Sequence, residues 1–391
     1  MSGGRVVRFG DPSRYYEVEK APLPHILVAS NKTLHGWWKG KRECTSERML
    51  INPYNGCSVN CLFCYSQGFP GYFQLFRREG IVTLFRDFDR SVAHQLDSIS
   101  VASCGYLSPV TDPFQRLNET YRLSERIVDA FVERNVPICF STKSRVPQRV
   151  IDRMREQTHS FGQVSILTPK EELRRGLMEE GACTDELFGN LTRLRDAGLS
   201  AVLRIDPIIP HLTDAKDELK DLVQRAVDSG STHVVASVMD IPVRIFDDLL
   251  RKFKRFGTGF SYDLGRLYRE RLDGYQHARI EYRKSVFDRL RNLCDSIGIS
   301  FALCMEYEVL DGRPVGLNPE FMSSVNCDGT NIPLYKRMGK TFKPACNCRG
   351  DCLNCKDPLC GVEDLAMGRY KESKKDFTLK DYRRWSREMM D

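Results

Sequence analysis

The stretch NPYNGCSVNCLFCYSQG, residues 52–68, decides the fold because it places three cysteines at C-x3-C-x2-C directly after a predicted strand. Thiolates this close in one loop can converge on one face of an iron–sulfur cube, and three of them leave one iron open to an outside ligand. The predicted ligands are Cys57, Cys61 and Cys64. Zinc is the alternative, although structural zinc usually takes four protein ligands. The nearest further donors are Cys44, His94 and Cys104.

Around this loop, strand-like apolar runs alternate with helical patterns. The predicted strands are Leu50–Tyr54, Ile99–Tyr106, Val136–Thr142, Gln163–Leu167, Ala201–Asp206, His233–Met239 and Ile299–Cys304. The predicted helices are Leu117–Asn135, Pro147–Gln157, Asp185–Ala197 and Ala215–Asp228. Runs such as PICFST and HVVASVM are apolar on both faces, which is typical of buried parallel strands. Repeated βα units of this kind predict an α/β fold, either a barrel or a doubly wound sheet.

The sequence divides into five predicted parts. These are an N-terminal extension at 1–48, a barrel core at 49–243, a basic helical segment with the final strand at 244–310, a Cys-rich module at 311–365 and a polar helix at 366–391. The chain has 391 residues, of which 41% are apolar and 28% charged, and this composition excludes disorder, collagen and coiled coil as the main architecture. No apolar run reaches about 18 residues, and the N-terminus lacks a secretory pattern, so we expect a cytoplasmic protein without a membrane span.

The first cysteine motif, followed by Tyr65 and placed after the first strand of a βα series, resembles the radical S-adenosylmethionine (SAM) superfamily. Within it, NPYNGCSVNCLFCY, SPVTDPFQ, FSTKS and RIDPIIP resemble the branch of spore photoproduct lyase, over about Ile51 to Asp240. The resemblance implies a partial (βα)6 barrel of TIM type with a small Cys-rich C-terminal module. It also implies a catalytic [4Fe–4S] cluster whose open iron chelates SAM, and reductive cleavage of SAM to a 5′-deoxyadenosyl radical.

The resemblance also implies contacts to SAM at the carboxyl ends of the strands, where barrel active sites collect. Thr111 and Asp112 would hydrogen-bond its ammonium and ribose, and Lys143 suits its carboxylate. Lys143 can equally be an ordinary lysine at a strand end. The remaining predicted SAM contacts are Tyr65, Ser165, Arg204 and Pro210.

The sequence departs from spore photoproduct lyase at the position before Thr111. That enzyme has a cysteine there, which donates a hydrogen atom, whereas this chain has Val110. Cys104 and Tyr106 lie nearby on one predicted strand and are the candidate radical relay. The alternative reading of Cys104 is a small buried hydrophobic residue. Repair of the spore type is therefore not expected.

A second cysteine cluster lies in the sequence ACNCRGDCLNCKDPLCG near the C-terminus. Its cysteines are Cys346, Cys348, Cys352, Cys355 and Cys360, with Cys327 as a possible sixth ligand. Such density among Gly, Asp and Pro, in a chain without an export signal, indicates metal binding. We expect an auxiliary [4Fe–4S] cluster, with tetrahedral zinc as the alternative.

The net charge of +7 is a mild excess that hints at an anionic partner. Basic residues with interleaved aromatics lie between Arg244 and Arg291, a pattern that suits a phosphate backbone and stacked bases. The alternative is an amphipathic helix pair with a solvated charged face, since acids are interspersed.

Together these patterns predict a radical SAM enzyme that abstracts hydrogen from a nucleic acid or nucleotide. The alternatives are modification of a peptide or small metabolite with an auxiliary cluster, and a non-catalytic Fe–S or zinc protein that binds nucleic acid. The expected partner is an electron donor such as flavodoxin or ferredoxin.

Overall fold

The computed structural model describes residues 5–37, 44–69, 74–369 and 376–388. In chain order the strands are β1 (Val6–Arg8), β2 (Tyr15–Glu17), β3 (His25–Ala29), β4 (Arg48–Ile51), β5 (Tyr54–Asn55), β6 (Val82–Arg86), β7 (Val101–Ala102), β8 (Cys104–Leu107), β9 (Ile138–Thr142), β10 (Phe161–Ser165), β11 (Ser200–Ile208), β12 (His233–Val238), β13 (Ile241–Pro242), β14 (Tyr268–Leu272), β15 (Tyr275–Ala278), β16 (Ser300–Leu303), β17 (Tyr307–Leu310), β18 (Arg313–Gly316), β19 (Tyr335–Met338) and β20 (Thr341–Pro344). The α-helices are α1 (Gln74–Glu79), α2 (Phe88–Asp97), α3 (Arg116–Tyr121), α4 (Leu123–Val132), α5 (Gln148–Met154), α6 (Glu171–Leu177), α7 (Thr184–Asp196), α8 (Lys216–Asp228), α9 (Phe246–Phe253), α10 (Thr258–Leu267), α11 (Ile280–Ile297), α12 (Asn318–Phe321) and α13 (Leu379–Glu388). The predicted parts 1–48 and 366–391 both include residues outside the described ranges.

A seven-stranded sheet forms the centre of the molecule, with the strand order β16-β12-β11-β10-β9-β8-β4. Each pair of neighbours is parallel. Helices α3 to α8 follow successive strands, so the sheet is that of a partial TIM barrel with β4 and β16 at its two edges. Six of the strands are those predicted between residues 50 and 239, and the seventh is the predicted final strand.

Local sequence explains why these elements form. All six residues of β12 are buried, as expected for a parallel strand covered on both faces. Helix α7 has acids in its first turn and arginines in its last, which complements the helix dipole. Gly105 in β8 is required by packing, because a Cβ atom there would lie 2.6 Å from the ring of Phe131. Gly298 ends α11 in the left-handed conformation, with φ of +81°.

The single strand predicted over Ile99–Tyr106 is divided in the structure. Its first part, β7, pairs antiparallel with β19, whereas β8 joins the central sheet. Ser103 lies between the two strands, and its hydroxyl is 2.8 Å from that of Tyr382 in α13. The division follows from long-range pairing with the C-terminal region, which local periodicity does not encode.

The segment from Arg244 to Arg291 was predicted to be helical, but the structure shows that it is only partly so. A β-hairpin, β14–β15, interrupts it between α10 and α11. The hairpin turn is Asp273–Gly274, and both residues have positive φ, of 52° and 83°. Asp-Gly is a strong signal for a two-residue hairpin turn. The antiparallel partner β13 extends the hairpin to three strands beside the sheet.

The C-terminal region covers the amino ends of the barrel strands. After α12 the chain returns to the sheet, where Cys327 O lies 3.1 Å from His233 Nε2 and Asp328 forms an ion pair with Arg48. Helix α13 lies within the predicted polar segment, but its Tyr382 and Trp385 are buried. Among the described residues, no helix is long and apolar enough to cross a membrane.

Candidate active site

One cavity of about 960 Å³ lies at the carboxyl ends of the barrel strands and continues into the barrel interior. Cys57, Cys61 and Cys64 all line it, on the loop that follows β5. The loop is held by its own backbone, since Cys64 N donates to Cys61 O at 3.2 Å. The backbone amide of Asp112 donates to Cys57 Sγ at 3.3 Å. The structure therefore brings the three predicted ligands to one wall of one cavity.

The chemistry of these three side chains fits an iron–sulfur cluster. Burial raises the pKa of Cys61 to about 12, although the charge of Lys143 opposes the rise. Burial and the charge of Asp112 also raise the pKa of Cys57. Thiolates in such a site require a cationic centre for compensation.

A single zinc ion would need its ligand sulfurs closer together than a four-iron cluster does. Zinc–sulfur bonds of about 2.3 Å would draw its ligand sulfurs to within about 4 Å of one another. In the part of the chain that the structure describes, no group of three or more His, Cys, Asp or Glu side chains is arranged to hold a metal ion. Cys44 instead contacts Cys304 and Cys327, and Cys104 is buried beside Cys139.

Among the described residues, three that line the cavity have a buried hydroxyl without a hydrogen-bond partner, and one of them is Ser46. Thr111 Oγ1 and Ser108 Oγ are both buried and unpaired, and both residues lie in the loop after β8. A buried hydroxyl without a partner carries a desolvation cost, which a polar ligand in the cavity would remove. Thr111 was predicted from the sequence, whereas Ser108 was not.

Asp112 has a different environment from the one predicted. Its carboxylate accepts hydrogen bonds from Thr142 Oγ1 at 2.9 and 3.0 Å, Lys143 N at 2.7 Å and Phe114 N at 2.9 Å. Burial raises its pKa despite these bonds. The side chain thus joins the loop after β8 to the end of β9, and its acceptor positions are largely used by the protein itself.

Most other predicted SAM contacts line the cavity, but Pro210 does not. Lys143, Ser165, Arg204 and Tyr65 are on its wall. The Tyr65 hydroxyl donates to Pro109 O at 3.1 Å. Pro210 is buried outside the cavity lining, and Pro207, near the carboxyl end of β11, lines it instead.

The Arg204 guanidinium is largely engaged inside the barrel. Nη1 donates to Gln163 Oε1 at 2.6 Å, and Nη2 donates to Cys304 Sγ at 3.0 Å and to Asp206. Ser237 Oγ also donates to Asp206, at 2.7 Å. These bonds fix Arg204 toward the wall formed by β10, β11 and β16.

Only one of the two candidate relay residues lines the cavity, although Tyr106 also packs against the buried cluster that contains Cys104. Tyr106 lines the cavity, and its ring lies 6.1 Å from that of Trp37. Cys104 is fully buried and packs with Cys139 and Phe161, outside the cavity lining. The environment of Cys104 is that of a small hydrophobic residue.

The five tail cysteines interact with one another. Cys348 lies close enough to influence the ionisation of Cys346, Cys352, Cys355 and Cys360. Burial raises the pKa of Cys352 to about 12. Cys327 is not with them: its Sγ accepts hydrogen bonds from Thr45 N and Oγ1 at 3.4 and 3.5 Å. The expected sixth ligand is displaced because its loop returns to the barrel.

Several cavity residues were missed from the sequence. Cys44, Cys304 and Asp240 all line the cavity. Burial and the charge of Asp206 raise the pKa of Asp240 to about 7. Asp240 directly follows one predicted strand and Cys304 is the last residue of another, so the strand-end rule that selected Lys143 could have found them. Cys44 lies in a segment without periodic signal.

Comparison with known proteins agrees with this geometry. Residues 51–226 match the sequence model of the Radical SAM superfamily. The chain is similar to the radical SAM Nα-GlyT isomerase of Pseudomonas phage M6, with 27% identity over 87% of this chain and 75% of that protein. It is also similar to an uncharacterized protein of Mycobacterium tuberculosis, with 25% identity over 48% of this chain and 57% of that protein.

Solved structures of spore photoproduct lyase share the fold. A variant with bound AdoMet and dinucleoside spore photoproduct has a TM-score of 0.52 at 13% identity, covering 73% of this chain and 82% of that chain. Another variant has a TM-score of 0.53 at 13% identity, with the same coverage. All three comparisons indicate radical SAM chemistry. A radical SAM domain implies a [4Fe–4S] cluster, SAM and an electron donor. Residues 51–226 therefore form a radical SAM domain, and the chain is an enzyme that is similar to members of this superfamily.

Proposed function

We propose that the chain holds its [4Fe–4S] cluster on Cys57, Cys61 and Cys64, binds SAM beside it and abstracts hydrogen from a nucleotide substrate. The observation that carries this proposal is the single cavity shared by the three cysteines, the unpaired Thr111 hydroxyl and several aromatic rings. When bound, the cluster supplies the electron that cleaves SAM. The volume of about 960 Å³ lies at the upper end of small-molecule sites, which suits SAM together with a second ligand.

The protein side chains in this proposal bind and orient. Thr111 Oγ1 hydrogen-bonds to SAM, and the Lys143 ammonium pairs with the SAM carboxylate. Tyr65 covers the adenosyl side of the cysteine loop, and Ser165 adds a hydroxyl on β10. Asp112 positions the loop after β8 through its bonds to β9, and does not touch the ligand.

Aromatic side chains on the cavity wall favour a nucleobase as the substrate group. They are Trp37, Tyr65, Phe69, Tyr106 and Tyr275. A flat ring can stack on such side chains for roughly 1–3 kcal/mol per base. Nearby, Arg251, Lys252, Lys254, Arg255, Arg269 and Arg271 are exposed, where they can meet phosphates. The solved relative holds a dinucleoside, which agrees with this choice.

The similarity to an isomerase favours a rearrangement without net oxidation. The match to the Nα-GlyT isomerase covers 87% of this chain and so extends well beyond residues 51–226. In an isomerisation, the hydrogen removed from the substrate is returned to the product. We therefore infer isomerisation of a modified nucleotide as the overall reaction.

We further propose that Cys346, Cys348, Cys352, Cys355 and Cys360 supply the ligands of an auxiliary [4Fe–4S] cluster. The mutual influence of their thiols supports this assignment, with zinc as the alternative. In this proposal the catalytic cluster lies in the predicted core at 49–243, and the auxiliary cluster lies in the predicted Cys-rich module at 311–365. Flavodoxin or ferredoxin is the proposed electron donor.

The test is reductive SAM cleavage by the anaerobically reconstituted chain. With dithionite and SAM, the wild type should release 5′-deoxyadenosine, and Cys61→Ala should release none. Cys183→Ala is the matched control, because Cys183 is exposed and distant in sequence from both clusters. Absence of product from a wild type that carries its iron would contradict the enzymatic proposal.

The substrate class is tested separately by binding. Affinity for DNA or RNA oligonucleotides should fall steeply with salt, with a slope that reflects the phosphates neutralised. Replacing Arg269 and Arg271 by Gln should reduce that slope. An affinity independent of salt, or no binding, would favour a peptide or small metabolite as the substrate.

A further inference from the structure

Three cysteines outside the two proposed cluster sites meet inside the barrel. Cys44, Cys304 and Cys327 all line the main cavity. Cys44 precedes β4 and Cys304 directly follows β16, and these two strands are the opposite edges of the sheet. Contact between these residues therefore spans the gap that an open barrel leaves between its edge strands.

The contacts distinguish the three thiols. Cys44 lies close enough to Cys304 and Cys327 for both to influence its ionisation, and its Sγ also contacts Met305 Sδ at 4.0 Å. Cys304 Sγ also accepts a hydrogen bond from Arg204 Nη2 at 3.0 Å. Cys327 Sγ accepts from Thr45, at 3.4 Å from its backbone nitrogen and 3.5 Å from its hydroxyl. Cys304 is thus the thiol that faces a guanidinium, and Cys44 is the thiol that influences its ionisation.

This arrangement favours a thiolate at Cys304. The hydrogen bond from Cys44 and the charge of Arg204 lower the pKa of Cys304, although burial opposes them. Hydrogen bonding and burial raise the pKa of Cys44 well above its usual range. A thiolate next to a protonated thiol is the arrangement needed for thiol–disulfide exchange, in which the thiolate attacks and the second thiol resolves.

We propose that Cys44 and Cys304 form a redox-active dithiol, which a low-molecular-weight disulfide oxidises to a reversible intramolecular disulfide across the barrel gap. The Cys304 thiolate attacks one sulfur of the oxidant, and the first thiol of the oxidant leaves. The Cys44 sulfur then attacks the mixed disulfide on Cys304 and releases the second thiol. Two protein thiols are oxidised and one disulfide is reduced to two thiols, so electrons and protons balance.

The disulfide would connect the segment before β4 to the end of β16. Among the described residues, side-chain contacts join these two edges here in the reduced protein, so local opening of the gap remains available. The covalent bond removes that freedom at the wall of the cavity in which the radical reaction takes place. Oxidation would therefore restrict access to the cavity. The cysteines of both proposed clusters would take no part in the disulfide and would still bind their clusters.

The test uses the reconstituted protein and oxidised glutathione, with peptide mapping under non-reducing conditions. The wild type should lose about two free thiols per chain and yield a peptide pair joined through Cys44 and Cys304. Cys44→Ser should accumulate glutathione on Cys304, because the resolving thiol is absent. Cys304→Ser should form neither product, and Cys183→Ser should behave like the wild type.

A second measurement separates the disulfide from cluster damage. Iron per chain should stay constant during oxidation, and hydrogen exchange in residues 44–50 should slow and recover after reduction. A Cys44–Cys327 link instead would overturn the assignment of Cys304, as would glutathione loading that Cys304→Ser leaves unchanged. If a protein without iron formed no 5′-deoxyadenosine, this result would count against the proposed function and not against the dithiol.

Discussion

The Thr111 hydroxyl offers a direct test of how the cavity binds SAM. Thr111→Val removes a buried, unpaired oxygen and keeps the shape of the side chain, so folding should be unaffected. If the hydroxyl donates to SAM, the dissociation constant should rise about fivefold, which corresponds to roughly 1 kcal/mol for one hydrogen bond. Equilibrium dialysis with the reconstituted protein measures it.

A matched control for Thr111 exists elsewhere in the chain. Thr83 in β6 also has a buried hydroxyl without a partner, but it does not line the cavity. Thr83→Val should leave SAM affinity at the wild-type value. Equal dissociation constants for the two variants would show that the Thr111 hydroxyl makes no contact with SAM.

The raised pKa of Asp240 predicts how the free energy of unfolding depends on pH. Burial raises its pKa from 3.8 to about 7, the charge of Asp206 adds to the rise, and that of Arg283 opposes it. Because the folded pKa is the higher one, the folded state binds the proton more tightly than the unfolded state. This stabilisation is complete below pH 3.8 and is lost as pH rises through 7.

Asp240→Asn should remove this dependence. Between pH 5 and pH 8 the variant should gain about 2–3 kcal/mol in unfolding free energy relative to the wild type. Urea denaturation at the two pH values measures the difference. Asp217→Asn, at an exposed position in α8, is the control and should show no such gain. A constant difference between variant and wild type would rule out the raised pKa.

Much of the site was predictable from single residues at strand ends. Cys57, Thr111, Lys143 and Tyr106 all line the cavity, because parallel strands bring their carboxyl ends together. Residues whose partners come from distant segments were not predictable. Asp112 has the expected place in the chain, but the bonds from the end of β9 decide what its carboxylate does.

Among the elements, the cysteine-rich tail gives the clearest prediction. Cys348 influences the ionisation of the other four tail cysteines, so Cys348→Ser should disrupt metal binding there. If both clusters have four irons, iron per chain should fall from about eight to about four. SAM cleavage without substrate should persist, since Cys57, Cys61 and Cys64 are unchanged.

Metal analysis of the tail variant also separates iron from zinc. Cys183→Ser is the control and should retain the iron of the wild type. A wild type with about four irons and one zinc, in which Cys348→Ser loses the zinc, would make the tail a zinc module. Loss of all iron in Cys348→Ser would mean that the two sites do not assemble independently.

The hairpin β14–β15 shows why element prediction was incomplete. Its Asp273–Gly274 turn is a strong local signal, but the flanking charges and aromatics also fit an amphipathic helix. Pairing of β15 with β13 decides between the two, and β13 has only two residues, Ile241 and Pro242. Such short partners are recognisable only after the barrel has positioned them.

At the scale of the whole molecule, N- and C-terminal segments meet at the amino ends of the barrel strands. Thr45 and Arg48 contact Cys327 and Asp328, which are about 280 residues later in the chain. Gln163 Nε2 also donates to Asp328 Oδ1 at 2.6 Å. The sequence does not reveal such contacts, because charged residues in loops carry no periodic pattern. They nevertheless determine where Cys327 lies.

The ion pair between Arg48 and Asp328 should dominate this closure of the barrel. The Arg48 side chain is only 3% exposed, so Asp328→Asn would leave a buried guanidinium without its counter-charge. We expect a loss of about 3–5 kcal/mol in unfolding free energy, measured by urea denaturation. Asp196→Asn removes an ion pair at the surface, with Arg195, and should cost less than about 1 kcal/mol. Similar losses in the two variants would show that the C-terminal loop does not hold the barrel closed.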